Sequence, residues 1–186
     1  IHCGTADDSQ HDGIHSFFIG KNAKVKYVEK HYGSGDGSGE RIMNPQTIME
    51  IGEDSYMEMD TAQIKGVDST IRNTTAKLAK GAGLKVTERL MTHGKQTAKS
   101  MFHVEMNGED SSTNLISRSV AKDDSYQLFE SNINGNAKCS GHSECDAIIV
   151  GNAKVSSVPG ITANNSDAAL IHEAAIGKIA GEQIIK

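Results

Sequence analysis

The 186-residue sequence predicts an all-β fold in which short strands coil around a narrow interior as a single-stranded β-solenoid. Segments of alternating apolar and polar residues follow one another along most of the chain, and a glycine-asparagine turn element recurs between them. Aromatic residues make up only 4% of the chain, and tryptophan is absent. A sandwich or bundle of this length usually buries more aromatic bulk. An interior of stacked Val, Ile, Leu, Met, Ala and Thr does not need it.

Nine segments have the composition of β-strands, because β-branched and apolar residues mostly alternate with polar ones in them. In the fifth segment, Ala76 and Leu78 fall on one side of the strand, while Asn73 and Lys77 fall on the other. Gly, Asn, Asp and Ser separate the segments and tolerate turn geometry. The predicted strands span residues 14–19, 23–29, 47–51, 56–64, 70–78, 84–91, 97–106, 114–120 and 125–133.

The recurring turn element favours a solenoid over other all-β folds. Its first copy, at residues 20–25, reads Gly-Lys-Asn-Ala-Lys-Val, and similar copies stand at 81–86, 135–139 and 151–155. The last two copies begin sixteen residues apart (135 to 151), which we interpret as about one circuit of a small solenoid. Gly and Asn suit the corners, where left-handed backbone angles are needed. The alternative is a meander of hairpins that reuses one turn type.

The chain divides into a predicted β-helix core, residues 1–170, and the start of a C-terminal helical region, residues 171–186. The second part is rich in Ala, Ile, Glu and Lys. We expect the chain to be part of a longer protein, because it begins without methionine and stops inside this predicted helix. The glycine-serine segment 33–39 is predicted to be a flexible linker, since a phosphate cradle would end in Lys-Ser/Thr and lead into a helix.

Composition excludes several classes of partner. The formal net charge is −5 and the Lys and Arg residues are scattered, which argues against a nucleic-acid groove or an anionic membrane surface. No apolar run approaches the roughly 20 residues that span a bilayer. Three cysteines are too few and too unevenly placed for a disulfide framework. We therefore expect a reducing compartment, the cytoplasm.

Two short motifs carry candidate metal ligands. Cys139, His142 and Cys145 form a C-x2-H-x2-C spacing beside an apolar strand at 147–150, and these donor types bind zinc or an iron–sulfur cluster. The alternative is a turn with one buried cysteine. His172 and Glu173 open the predicted helix, where Glu173 alternatively serves as a simple cap.

The number of thiols limits the kind of cluster this chain can hold. An all-cysteine cluster needs four thiolates, whereas the chain has three, and Cys3 is distant in sequence. A cluster must therefore also use His or Glu, or be shared between two chains. Mixed ligation binds more loosely than four thiolates, which suits a scaffold that releases a transient iron–sulfur cluster to an acceptor.

Four motifs together resemble the core of the SufB/SufD family of iron–sulfur cluster assembly proteins, over essentially the whole chain. The motifs are 18–25 (Phe-Ile-Gly-Lys-Asn-Ala-Lys-Val), 117–120 (Ser-Arg-Ser-Val), 141–146 (Gly-His-Ser-Glu-Cys-Asp) and 172–179 (His-Glu-Ala-Ala-Ile-Gly-Lys-Ile). The resemblance implies a right-handed parallel β-helix core with flanking helical regions. It also implies a complex with a SufC-type ATPase, which docks on helices lying mostly beyond Lys186.

Within this family the resemblance implies a site at Cys145, Glu173 and His172. The cysteine makes the chain SufB-like, while Cys139 and His142 have no matching family position. The family also implies a dimer, and pairing the terminal strands with a second copy would satisfy their free backbone groups. We therefore predict a homodimer, or a SufB/SufD-type partner, that shares a cluster and receives sulfur from a donor protein. The chain itself is not expected to be an enzyme.

Three alternatives stay open from the sequence. One is a SufD-like structural partner without cluster ligands of its own. Another is a β-helix enzyme that acts on polysaccharide, although such enzymes usually need aromatic platforms and clustered carboxylates, and here only Asp123 and Asp124 are adjacent. The third is a zinc-binding module.

Overall fold

A computed structural model of the chain describes residues 1–34 and 40–179 and confirms the all-β solenoid. Fifteen strands are formed in these residues, and every strand pairing between them is parallel. The predicted flexible linker at 33–39 falls mostly outside the described residues.

Each circuit of the solenoid contributes strands to two parallel sheets. The first sheet has the spatial order β1 (His2–Thr5), β4 (Lys24–Gly33), β7 (Tyr56–Lys65), β9 (Gly83–Thr92), β11 (Ser111–Asp123), β13 (Cys139–Gly151) and β15 (Ala168–Ile179). The second sheet contains β2 (Ser9–His11), β3 (Ile14–Ile19), β5 (Arg41–Met43), β6 (Gln46–Ile51), β8 (Ser69–Leu78), β10 (Thr97–Met106), β12 (Tyr126–Gly135) and β14 (Lys154–Ala163). All nine predicted strands are therefore present, as β3, β4 and β6 to β12.

One circuit is longer than the turn spacing suggested. Cys139 is in register with Ala168, 29 residues later, and Tyr126 with Lys154, 28 residues later. The sixteen-residue spacing predicted as one circuit is therefore about half of one, and that interpretation is wrong. The turn element recurs at two different corners of the same coil, because both corners need the same backbone geometry.

Left-handed residues stack at the corners, as the Gly-Asn turns predict. Asn22, Asp54, Gly81 and Asp110 all have positive φ, between 53° and 65°. The backbone N–H of Asn22 donates to the Glu53 carbonyl, and equivalent bonds join each later corner to the next coil. These residue types adopt the left-handed region at low cost, so each coil turns without losing its hydrogen bonds to the neighbouring coil.

The core lies between the two sheets and is aliphatic. Its largest fully buried side chains include four methionines, Met49, Met57, Met59 and Met106, together with Ile51, Leu78, Val86, Val104, Leu115 and Ile133. Phe102 and Phe129 add one aromatic pair, with ring centroids 5.7 Å apart. Unbranched methionine fills irregular gaps without strain, which explains a packed interior with few aromatic residues.

The segment predicted to begin a helix is a strand where the structure describes it. Residues 168–179 form β15 and pair in register with β13 along its length, while residues 180–186 lie outside the described residues. The prediction of a helix from residue 171 followed the helix propensity of Ala, Glu and Lys, but a partner strand with free backbone groups overrides such a weak preference. Among the described residues, no helix is long and apolar enough to cross a membrane.

Candidate functional site

Cys145 lies on the interior face of β13, one coil before the end of the described solenoid. Its side chain is 2% exposed and belongs to the main hydrophobic core. In register it lies between Ser117 of β11 and Ala174 of β15. Burial raises the pKa of the Cys145 thiol, and a hydrogen bond with Ser157 partly opposes that rise. The sulfur is therefore a neutral thiol at neutral pH and is shielded from solvent.

The C-x2-H-x2-C segment is an extended strand, so the structure does not bring its three candidate ligands together. Cys139 and Cys145 both face the interior, but six residues of extended parallel strand span about 20 Å. His142 is on the opposite face, where its Nδ1 lies 3.1 Å from Asn114 Oδ1. The alternative, a turn with one buried cysteine, does not form either, because the segment pairs with β11 and β15.

His172 and Glu173 lie on opposite faces of β15. Strand alternation places His172 on the interior side, with Ala168 and Leu170, which pack against the core. His172 is in register with Ser143 and is exposed because no further described strand covers it. Its Cα lies about 8 Å from that of Cys145, given a lateral step of one strand and an axial step of two residues. Cys145 and His172 therefore lie on the inward side of two adjacent strands, β13 and β15.

Glu173 lies on the outer face and is close to His142 instead. The Glu173 Oε2 atom lies 3.9 Å from His142 Nε2, with the two side chains 67% and 31% exposed. The predicted set thus separates into an inner pair, Cys145 and His172, and an outer pair, His142 and Glu173. Each pair has one residue on β13 and one on the adjacent strand β15.

The end of the solenoid beside these residues is uncovered within the described part of the chain. β14 and β15 are the last strands of their sheets and present one edge each. Large apolar side chains are exposed there, including Val158 at 52% and Ile171 at 59%. Unpaired edges with apolar side chains are typical of surfaces that meet another chain.

Comparison with known proteins decides the family. A family model described as the SufBD core domain of the SUF system for FeS cluster assembly matches residues 1–185. The chain belongs to the SufBD family. An iron–sulfur cluster assembly SufBD family protein of Methanocaldococcus jannaschii is 34% identical over 168 residues, which cover 89% of this chain and 52% of that protein.

Other SufBD relatives match at lower identity over nearly the whole chain. A SufBD family protein of Archaeoglobus fulgidus is 29% identical over 98% of this chain and 48% of its own length. One from Methanothermobacter thermautotrophicus is 24% identical, over 98% of this chain and 45% of its own length. The chain spans about half the length of the curated relatives it matches.

This SufBD chain also has a buried charged cluster at the opposite end, which sequence reasoning missed. Arg72 Nη1 donates to Glu29 Oε2 at 2.9 Å, and Arg72 Nη2 donates to His31 Nδ1 at 2.8 Å. Glu29, His31 and Arg72 are each at most 4% exposed. A second carboxylate, Glu88, lies 3.7 Å from Arg72 Nε and accepts hydrogen bonds from two serine hydroxyls.

The contacts in this cluster set its charges. Burial alone would raise the pKa of Glu29, but contact with His31 and Arg72 outweighs burial and lowers it to about 2. Burial lowers the pKa of His31, with the Arg72 charge acting in the same direction and Glu29 opposing both. At neutral pH the cluster therefore holds an ionised carboxylate, a guanidinium and a neutral imidazole. The placement of Arg72 on the apolar side of its alternating strand was the signal that could have revealed it.

A column of polar interior residues connects the charged cluster with Cys145. Successive coils place Glu29, Thr61, Glu88, Ser117 and Cys145 in register, and each is at most 4% exposed. Ser117 Oγ donates to Glu88 Oε2 at 2.9 Å. At about 4.8 Å per coil the column is about 19 Å long. The interior is thus polar along this line between the two ends.

Proposed function

We propose that this chain is the β-helix core of a scaffold subunit on which a nascent iron–sulfur cluster is built or held. The observation that carries the proposal is a buried thiol, Cys145, beside an exposed imidazole, His172, at an uncovered end of the solenoid. Membership of the SufBD family supports the same conclusion. The cluster is cargo rather than a resident cofactor.

Each site residue has a distinct part in the proposal. Cys145 supplies a thiolate, and an incoming iron atom offsets the cost of removing its proton, because ligands must be deprotonated to bind. His172 supplies a neutral nitrogen from the adjacent strand. Glu173 lies on the outer face, so it contributes from there or ligates a cluster shared with a second subunit.

The cluster is proposed to form where two solenoid ends meet, in a homodimer or with a SufB/SufD-type partner. The exposed edges of β14 and β15 and the apolar side chains beside them support such a contact. A second subunit would add ligands to a set that is too small for a cluster in one chain, since the sequence has only three cysteines.

We further propose that the chain is not itself an enzyme and works with a SufC-type ATPase and a sulfur-donor protein in the cytoplasm. ATP hydrolysis and sulfur delivery then come from these partners. Three free cysteines suit a reducing compartment.

The first test is anaerobic reconstitution of the full-length protein with ferrous iron and sulfide. The Mössbauer and visible absorption spectra should show a cluster that transfers to an apo-acceptor protein. Cys145→Ser should lower cluster affinity at least about tenfold, the scale of losing even an indirect metal contact.

Cys139→Ser is the matched control, because Cys139 is a buried thiol on the same face of the same strand. It should reconstitute as the unchanged protein does. Undiminished cluster assembly in Cys145→Ser would contradict the scaffold role and favour the SufD-like structural partner.

A further inference from the structure

Three different metal-binding side chains converge at the end of the solenoid opposite Cys145. One ligand atom each from Cys3, Glu29 and His31 lies within 4.8 Å of the others. Cys3 is on β1, while Glu29 and His31 are on β4, and His31 is in register with Cys3. Glu29 and His31 are at most 4% exposed, and Cys3, at 9%, is the most exposed of the three residues.

One oxygen of this cluster has only poorly aligned neighbours. Glu29 Oε1 is buried and accepts no well-aligned hydrogen bond, although it lies 3.0 Å from His31 Nε2 and 3.3 Å from His15 Nδ1. Two ligand atoms about 2.0–2.1 Å from one tetrahedral metal ion lie about 3.3 Å apart. A buried carboxylate oxygen without a well-aligned donor is poorly compensated, and a cation between it and Nε2 would give it a stronger partner.

We propose that Cys3, Glu29 and His31 form a binding site for one divalent transition-metal ion of the Zn²⁺ or Fe²⁺ kind. Thiolate, imidazole and carboxylate are the donors that such ions prefer. Three protein ligands leave the fourth position open for water or an exchanging ligand. The site is separate from the proposed cargo site, because the polar column between Glu29 and Cys145 is about 19 Å long.

The formal charges of the buried cluster favour a dication. Glu29, Glu88 and Arg72 together carry a net charge of −1 (two carboxylates and one guanidinium). When a dication binds and the Cys3 thiol loses its proton, the net charge becomes zero (−1 − 1 + 2). A buried group of charges is least costly when its charges balance, so the metal-bound state is the better compensated one.

In the metal-free protein Arg72 contacts two of the ligands from the side away from the proposed metal. It donates to Glu29 Oε2 and to His31 Nδ1, so the imidazole proton is on Nε2 in the metal-free protein. Metal binding at Nε2 displaces this proton, and the neutral ring then carries its hydrogen on Nδ1. Arg72 must therefore release His31. Glu88 Oε1, which lies 3.7 Å from Arg72 Nε, can then accept a hydrogen bond from the guanidinium.

The test uses the full-length chain with both other cysteines removed. In Cys139→Ser/Cys145→Ser, Cys3 is the only thiol in the sequence. Titration with Co²⁺ alone should produce a thiolate-to-cobalt charge-transfer band in the near ultraviolet, saturating at one equivalent. Zn²⁺ alone should displace the cobalt and give one site by calorimetry.

Adding Cys3→Ser to this background should abolish the band and weaken Zn²⁺ binding at least about tenfold. Serine is close to cysteine in size, and circular dichroism checks that the solenoid stays folded. His31→Gln is the second variant and should weaken Zn²⁺ binding while Cys3 remains. A Zn²⁺ affinity unchanged by Cys3→Ser, or a Co²⁺ complex without a thiolate band, would overturn the proposal. Neither result depends on cluster assembly at Cys145.

Discussion

The two ends of the polar interior column differ in how completely the chain satisfies them. At the Arg72 end, Glu29, His31 and Glu88 are all nearly inaccessible, and most of their polar atoms contact one another. At the Cys145 end the thiol is equally buried, but its neighbour His172 is exposed. Both ends use inward positions of successive coils, so alternation and register alone do not explain the difference.

The difference arises from whether the strand that carries the side chains has a paired strand on both of its edges. β4 is paired on both sides, with β1 and β7, whereas β15 pairs only with β13 among the described residues. A charged group between two strands must find its partners within the chain, because removing it from water is expensive. A polar group on the last strand keeps its contact with water. The Arg72 end is thus a cluster with finished ion pairs, open only at the proposed metal site, and the other end has ligands free for an additional surface.

The largest expected effect follows from breaking the finished cluster. Arg72→Met leaves Glu29 and Glu88 buried without their cation, since Arg72 contacts both carboxylates. Removing one member of a buried ionic group costs about 3–5 kcal/mol. We expect the free energy of unfolding, measured in urea, to fall by this amount.

Arg118→Met is the matched control for that experiment. Arg118 also contacts two carboxylates, Glu144 and Asp146, but its side chain is 62% exposed. Exposed ion pairs contribute about 0–1 kcal/mol, so the control should change stability by less than about 1 kcal/mol. Equal losses from the two substitutions would mean that the Arg72 end is not a distinct, closed cluster.

A second, somewhat smaller effect concerns pH. The pKa of Glu29 falls from an ordinary value of 4.5 to about 2 in the folded chain. Because the folded pKa lies below the unfolded one, the stabilisation is fully present above about pH 5 and is lost as the pH falls toward 2. The shift corresponds to roughly 3 kcal/mol. Urea unfolding at about pH 7, 5 and 3 should show roughly 2 kcal/mol of this loss by pH 3, which is still one unit above the folded pKa.

Glu29→Gln provides the comparison for the pH series. Its unfolding free energy should be lower at pH 7 but should fall less between pH 5 and pH 3, because the titrating carboxyl is gone. If the two proteins lose stability in parallel, Glu29 does not carry the acid sensitivity that the closed cluster predicts.

Much of the fold was predictable from the sequence, because the signals are local. Alternation identified nine strands, and corner residues such as Asn22 and Gly151, with φ of 59° and 76°, adopt the backbone that their residue types favour. The circuit length was not predictable from the turns, since it depends on how many strands one coil contains. Only the 147–150 part of β13 was predicted as a strand, and β15 was predicted to be helical from residue 171, because polar or helix-favouring residues there are held in strands by pairing, which is a tertiary effect.

The site was predictable only in part. The sequence singled out Cys145, His172 and Glu173, but their relative placement depends on the 29-residue offset between β13 and β15. Strand alternation separates His172 from Glu173, and six residues of extended strand keep Cys139 away from Cys145. The Arg72 cluster is assembled from two parts of the chain, residues 29–31 and 72–88, which are 41 positions apart (31 to 72), so no short motif encodes it.

The smallest expected effect on stability tests the uncovered end of the solenoid, at β14 and β15. Ile171 of β15 is 59% exposed, so Ile171→Lys should change the free energy of unfolding by no more than about 0.5 kcal/mol. Lysine on an edge strand opposes edge-to-edge association. We therefore expect the proposed two-fold dimer to dissociate at least about tenfold more readily, a change of about 1.4 kcal/mol, as measured by light scattering across a dilution series.

Ile14→Lys is the control for this substitution, because Ile14 is 67% exposed and lies on β3, in the first coils of the solenoid rather than at the β14–β15 end. It should leave the dimer unchanged. The comparison is sharp because the two substitutions are chemically identical and neither disturbs the core, so only the location differs. A dimer weakened equally by both substitutions, or a monodisperse monomer in the unsubstituted full-length protein, would show that the uncovered end is not where subunits meet. The exposure of His172 would then need a partner other than a second copy.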